Sequence, residues 1–155
     1  MQITFEALPS DVVADIRRTE RDAYGNPLER HISHGEVYPC RHCLGEVPAG
    51  APYFILAHRP FSNENAFTET GPIFLCADHC ERARASDQVP GTLKADQFIV
   101  RAYDANERII YGTGSVVPTP NIPSRAKVLL ADPSVAFVDI RSAANNCYQC
   151  RVMRA

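Results

Sequence analysis

Six cysteines fall into three close pairs, and this pattern constrains the 155-residue chain more than any other feature. Cys40 and Cys43 lie in Pro39-Cys40-Arg41-His42-Cys43-Leu44-Gly45, and Cys76 and Cys80 in Phe74-Leu75-Cys76-Ala77-Asp78-His79-Cys80. The third pair is Cys147-Tyr148-Gln149-Cys150. Tetrahedral zinc takes four soft ligands, with each sulfur ~2.3 Å from the metal. A Cys-x-x-Cys on a tight turn supplies two corners, and Gly45 lets the chain turn back toward the ion. Cysteines four apart at the start of a helix share one face. The spacing therefore predicts that Cys40, Cys43, Cys76 and Cys80 hold a structural zinc ion. The outline is treble-clef-like: a knuckle and a strand, then a strand running into a short helix that carries the second pair.

The third pair fits less well. On a strand, an offset of three points the two sulfurs to opposite faces, so only Cys147, near a turn, would reach a shared site. His34, His42 and His79 are further candidate ligands. Two other readings of the pairs stand beside zinc: small buried hydrophobes or disulfides, and redox chemistry. Arg41 and His42 place positive charge inside the first pair, which favours a thiolate. A redox pair, however, opens a helix, and Leu44-Gly45-Glu46-Val47-Pro48-Ala49-Gly50 cannot begin a long one. His34-Gly35-Glu36 with Pro39-Cys40-Arg41-His42-Cys43 spells both halves of a zinc deaminase signature. Only Val37 and Tyr38 separate the halves, which leaves no room for the helix and crossover that such a site needs.

The compartment bears on how the thiols are read. The start of the chain shows no basic segment followed by an apolar run of signal length, and no stretch reaches bilayer-spanning length. The expected compartment is the cytoplasm, where clustered cysteines serve as metal ligands or free thiols more often than as disulfides. The formal net charge of -2 argues against a polyanionic partner, so nucleic acid is not expected. Fourteen of the sixteen basic residues are Arg, the better fork for carboxylate or phosphate.

The remaining pattern predicts a single α+β domain spanning residues 1–155. Its sheet is mainly antiparallel, with hairpins and two or three short helices. Strands are expected at 2–7, 53–58 and 72–75, with one hairpin at 98–103 and 108–113 and another at 135–141 and 147–153. One helix is expected from Ser10, acting as N-cap, to near Gly25, and another from Ser124, also as cap, to Ala131. One or two helical turns are expected at 81–86. Glu64, Thr68, Glu69 and Thr70 lie in a long loop, where a carboxylate beside hydroxyls is a candidate ligand site. His58-Arg59-Pro60-Phe61 reads as a surface cluster, and Arg101, Tyr103 and Arg141 as a polar face of the sheet. There is no phosphate loop, dinucleotide glycine pattern or nucleophile elbow.

Tyr38-Pro39-Cys40-Arg41-His42-Cys43-Leu44, Glu69-Thr70-Gly71-Pro72-Ile73-Phe74, Arg101-Ala102-Tyr103-Asp104 and Asn146-Cys147-Tyr148 together resemble the bacterial family DUF1203, a domain of unknown function. The likeness spans nearly the whole chain and brings no activity with it. It implies a role shared by Cys40 and Cys147, such as a thiol pair. Two functional expectations follow: a binding or interaction module built around structural zinc, with a small-molecule or protein partner, or a thiol-dependent redox enzyme or sensor using Cys40 with Cys43 or Cys147. A nucleic-acid-binding zinc module is a third, disfavoured by the acidic balance.

Overall fold

A computed structural model describes residues 1–35 and 37–155. The elements in chain order are β1 (Ile3–Glu6), α1 (Ser10–Thr19), β2 (Glu29–Ile32), β3 (Pro52–His58), β4 (Gly71–Cys76) and β5 (Gln97–Tyr103). They continue with β6 (Ser115–Pro118), a 3-10 turn at Thr119–Asn121, α2 (Ile122–Leu130), β7 (Phe137–Ser142) and β8 (Tyr148–Arg154). All strand pairings are antiparallel, in two sheets ordered β1-β8-β7-β5-β6 and β2-β3-β4. The expected α+β class with antiparallel sheets is the observed one. No helix among the described residues is long and apolar enough to cross a membrane.

Two apolar clusters follow from the two sheets. The larger joins Val100, Val138, Ile140 and Val152 of the five-stranded sheet to Ile122, Ala126 and Leu130 of α2. The apolar positions of α2 recur at helical spacing, so one face meets the sheet and Val128 is left to solvent. The second cluster joins Leu56, Ile73 and Leu75 to Val13 of α1 and to Cys40 and Cys76. The cysteine region is thus rooted in its own small core. Arg41 ties that core to the larger sheet, its Nε donating to the Tyr148 carbonyl at 2.6 Å.

Several local expectations are corrected. Helix α1 ends at Thr19 because Glu20 takes a left-handed conformation, with its N–H returned to the Ile16 carbonyl. Asp22 Oδ1 then accepts from the backbone of Tyr24 and Asn26, a side-chain turn that competes with further helix. Neither Ser10 nor Ser124 is a cap: Pro9 and Asn121 hold those positions, and both serines lie inside the first turn. Residues 108–113 form no strand, since β5 pairs with β6 and β7, and only Ile109 bridges to Tyr103. Residues 81–86 are not helical. Phe5 takes the Ser86 carbonyl, Ala83 donates to the His42 carbonyl, and Arg82 donates to the carbonyls of Leu8 and Ala7. These partners stretch the segment between the knuckle and β1. Strand β2 carried no sequence signal because all four of its residues are exposed.

Candidate metal centre

The first cysteine pair sits on a knuckle closed by Pro39 bridging Glu46, with Cys40 N–H donating to the Gly45 carbonyl at 2.9 Å. Leu44 donates to the Cys40 carbonyl at 3.0 Å and carries the left-handed turn itself, at φ 50°. The conformational freedom expected of Gly45 is therefore supplied one residue earlier. Cys40 also bridges Phe74, which lays the knuckle along β4. Cys76 is the last residue of β4, and Cys80 follows from an irregular segment in place of the expected helix.

The two pairs converge. One sulfur from each of Cys40, Cys43, Cys76 and Cys80 lies within 4.8 Å of all the others. Cys40 and Cys80 are 4.0 Å apart, as are Cys43 and Cys76. A disulfide would bring sulfurs to ~2.05 Å, and all six cysteines are free. The edge of a tetrahedron of sulfurs around zinc is ~3.8 Å, given a metal–sulfur bond of ~2.3 Å. The cluster has the dimensions of a four-thiolate site that can hold a metal ion.

The surroundings supply N–H donors to sulfur. The Cys76 amide donates to Cys40 Sγ at 3.3 Å, and Arg17 Nη2 to Cys80 Sγ at 3.5 Å. Arg17 is fixed by the carbonyls of Cys76 and Asp78. His42 Nδ1 lies 3.2 Å from Cys80 Sγ, and its Nε2 is 2.9 Å from Ser10 Oγ. His42 thus backs the Cys80 sulfur and is not one of the four clustered side chains. His34 is exposed, and His79 points outward to Glu81 at 3.0 Å, so neither joins the cluster. Glu36, the other half of the deaminase-like match, lies outside the described residues.

Without a cation Cys40, Cys43 and Cys76 compete for one negative charge. Hydrogen bonds from Cys43 and Cys76 hold Cys40 far below the ordinary thiol range. The same hydrogen bond to Cys40 pushes Cys43 up to about 11, and the bonds to Cys40 and Cys43 hold Cys76 well above its ordinary value. Burial lowers His42 from its ordinary value, against the opposing pull of Cys40. A divalent cation reverses this competition, because each thiolate then faces two positive charges.

The third pair stands apart. Cys150 is enclosed in the larger core, where burial pushes its thiol up to about 12. Cys147 lies at the turn before β8, 3.4 Å from Gln149 Nε2 and 3.9 Å from Arg41 Nη2. Sequence spacing missed the partners that come from far along the chain, Ser10 and Arg17, since nothing local marks them. It did place Glu69 in a candidate loop and Arg101, Tyr103 and Arg141 on a polar face. The structure joins the two sets, with Tyr103 Oη donating to Glu69 at 3.2 Å and Arg101 and Arg141 within 3.3 Å and 3.0 Å of its carboxylate. Glu64 pairs with Arg59, and Thr68 closes a turn with Asn65 and Asn63.

The family model described as a protein of unknown function (DUF1203) matches residues 37–154. No curated protein and no solved structure matches the chain.

Proposed function

The chain belongs to the DUF1203 family, and from its four converging thiols we propose that it is a binding module organised around a structural zinc ion. The observation that carries this reading is the mutual spacing of Cys40, Cys43, Cys76 and Cys80, all within 4.8 Å. Four soft sulfurs at tetrahedral spacing suit zinc, and also iron, more than the hard cations, which prefer oxygen. Four protein ligands leave no open coordination position, so the ion serves structure and does no chemistry on a substrate. Cys40 is fully buried and Cys76 nearly so, while Cys43 and Cys80 are partly exposed, so the site sits at the edge of the small core.

The ion would fasten the knuckle to the end of β4 and to the irregular segment that leads to Cys80. That segment has little regular structure of its own: Ala77 N–H donates to the Pro52 carbonyl, and the Asp78 carbonyl accepts from Arg17 Nη2. A metal crosslink there replaces the secondary structure that the segment lacks. The free energy of metal binding then becomes part of the folding free energy.

Elemental analysis of protein purified without added metal, with reactive thiols counted on the same sample, tests this. One zinc per chain with four thiols protected is the expected result. Iron in the same stoichiometry would keep the site and change its ion. No metal, with all six thiols reacting in the native protein, would refute the reading.

A further inference from the structure

Outside the cysteine cluster, a pocket of about 450 Å³ opens between the Thr68–Pro72 segment, Tyr24 and the turn joining β7 to β8. Arg141 lines it and is 2% exposed, yet only its Nε is satisfied, donating to the Asn146 carbonyl at 3.0 Å. Neither terminal nitrogen donates a hydrogen bond to a described residue. Nη1 stands 3.0 Å from Glu69 Oε2 but outside hydrogen-bond geometry. Arg101 approaches the other carboxylate oxygen at 3.3 Å, and its enclosed Nε also lacks an acceptor. A single carboxylate, already accepting from Tyr103, leaves two guanidinium groups short of acceptors. Arg141 Nη1 and Arg101 Nε are enclosed, whereas Arg141 Nη2, also without an acceptor among the described residues, is not, and it is the donor that an acceptor in the pocket would meet.

The same pocket is lined by Cys147. The carbonyls on either side of this residue are each clamped by a buried arginine: Asn146 by Arg141, and Tyr148 by Arg41 at 2.6 Å. Two N–H groups face the sulfur, Gln149 Nε2 at 3.4 Å and Arg41 Nη2 at 3.9 Å. A partly exposed thiol in a rigid, electropositive setting beside a pocket is the environment of a reactive cysteine.

We propose that this pocket takes a small electrophile bearing a carboxylate, with Arg141 seating the anion and Cys147 acting as nucleophile. The step is a displacement. The Cys147 sulfur forms a bond to the electrophilic carbon, the bond from that carbon to its leaving group breaks with its electrons on the leaving group, and the thiol proton passes to solvent. No oxidant or reductant enters. Guanidinium and carboxylate match as a fork, which gives a preference for carboxylates over neutral analogues. Cys147 is not among the four clustered thiols, so this site stands apart from the metal reading.

The test is alkylation of the intact chain, as purified, by iodoacetate and by iodoacetamide, with the modified cysteine mapped by mass spectrometry. Cys147 is expected to react first. Its preference for iodoacetate, normalised to free cysteine in the same buffer, is expected to be about tenfold. Acetate, against chloride at matched ionic strength, is expected to slow Cys147 alkylation by both reagents and to leave free cysteine unaffected. Arg141→Lys should reduce the preference severalfold; should that variant fail to fold, acetate competition on the unaltered protein decides. A normalised preference near one, or no protection by acetate, overturns the anion seat. An inert Cys147 while another thiol reacts overturns the nucleophile.

Discussion

Replacing Cys43 by Ser separates a metal ligand from an ordinary partly buried side chain. Cys43 is partly buried, with its sulfur 4.0 Å from Cys76 Sγ, within 4.8 Å of the other two clustered sulfurs and 4.0 Å from the Gly45 carbonyl. As packing alone, exchanging sulfur for a hydroxyl there costs about 1 kcal/mol or less. As a ligand it costs far more, because structural zinc in small domains contributes ~10–16 kcal/mol of apparent binding energy. If a three-sulfur site binds about three decades more weakly, mass action removes ~4 kcal/mol of that stabilisation. In a domain of this size each 1 kcal/mol moves the midpoint by ~2–4 °C, so Tm should fall by ~10 °C. Calorimetry and metal content are read on one preparation, with and without chelator. Chelator should bring both proteins down to a similar metal-free midpoint, and the variant, which starts lower and holds its metal less tightly, should reach it at lower chelator concentration. A variant within about 2 °C of the unaltered chain, or an unaltered chain indifferent to chelator, would refute the reasoning.

Three further outcomes follow from other parts of the structure. Cys150→Ser buries a hydroxyl in the apolar core and should cost ~1–3 kcal/mol in denaturant unfolding, with metal content unchanged. Asp139→Asn removes the charge that accepts from Arg151 Nε at 2.7 Å and Nη2 at 3.0 Å in a fully buried position, and should cost ~3–5 kcal/mol by the same assay. Burial, reinforced by Arg151 and Arg59, lowers His58 from its ordinary 6.5 to about 4. The unfolded chain therefore binds a proton that the folded chain refuses, so this contribution is complete above pH 6.5 and is lost as pH falls toward 4. The loss reaches ~3 kcal/mol. Urea titrations across that window should show the decline, and His58→Gln should flatten it; equal slopes in the two proteins would count against the assignment.

What could be read from sequence was whatever rests on local pattern. The apolar run before Cys76 gave β4, the alternation after Gln97 gave β5, and the Asn145-Asn146 turn gave the β7–β8 hairpin, with Asn146 in the left-handed region. The convergence of Cys40, Cys43, Cys76 and Cys80 was legible because two-residue and three-residue spacings are chemical signatures independent of fold. Features decided by distant partners were not legible. The 81–86 segment has enough helix-compatible residues to suggest a turn of helix, yet Phe5, Leu8 and His42 take up its polar groups and hold it extended. Strand β2, with its four exposed residues, carries no hydrophobic period to detect. Residues 108–113 carry the β-favouring run Ile109-Ile110-Tyr111, but the neighbouring positions along β5 are taken by β6 and β7. Arg17, which faces Cys80, lies in α1, whose local pattern says nothing of thiols, and Arg41, read from sequence beside Cys40 and Cys43, turns its Nη2 to Cys147.

The most direct measurement is X-ray absorption at the zinc edge on the purified chain. A single shell of four sulfurs at ~2.3 Å, with no nitrogen or oxygen neighbour, is the expected spectrum. A shell with fewer than four sulfurs, or with an imidazole or water among the ligands, would contradict closure of the site by Cys40, Cys43, Cys76 and Cys80.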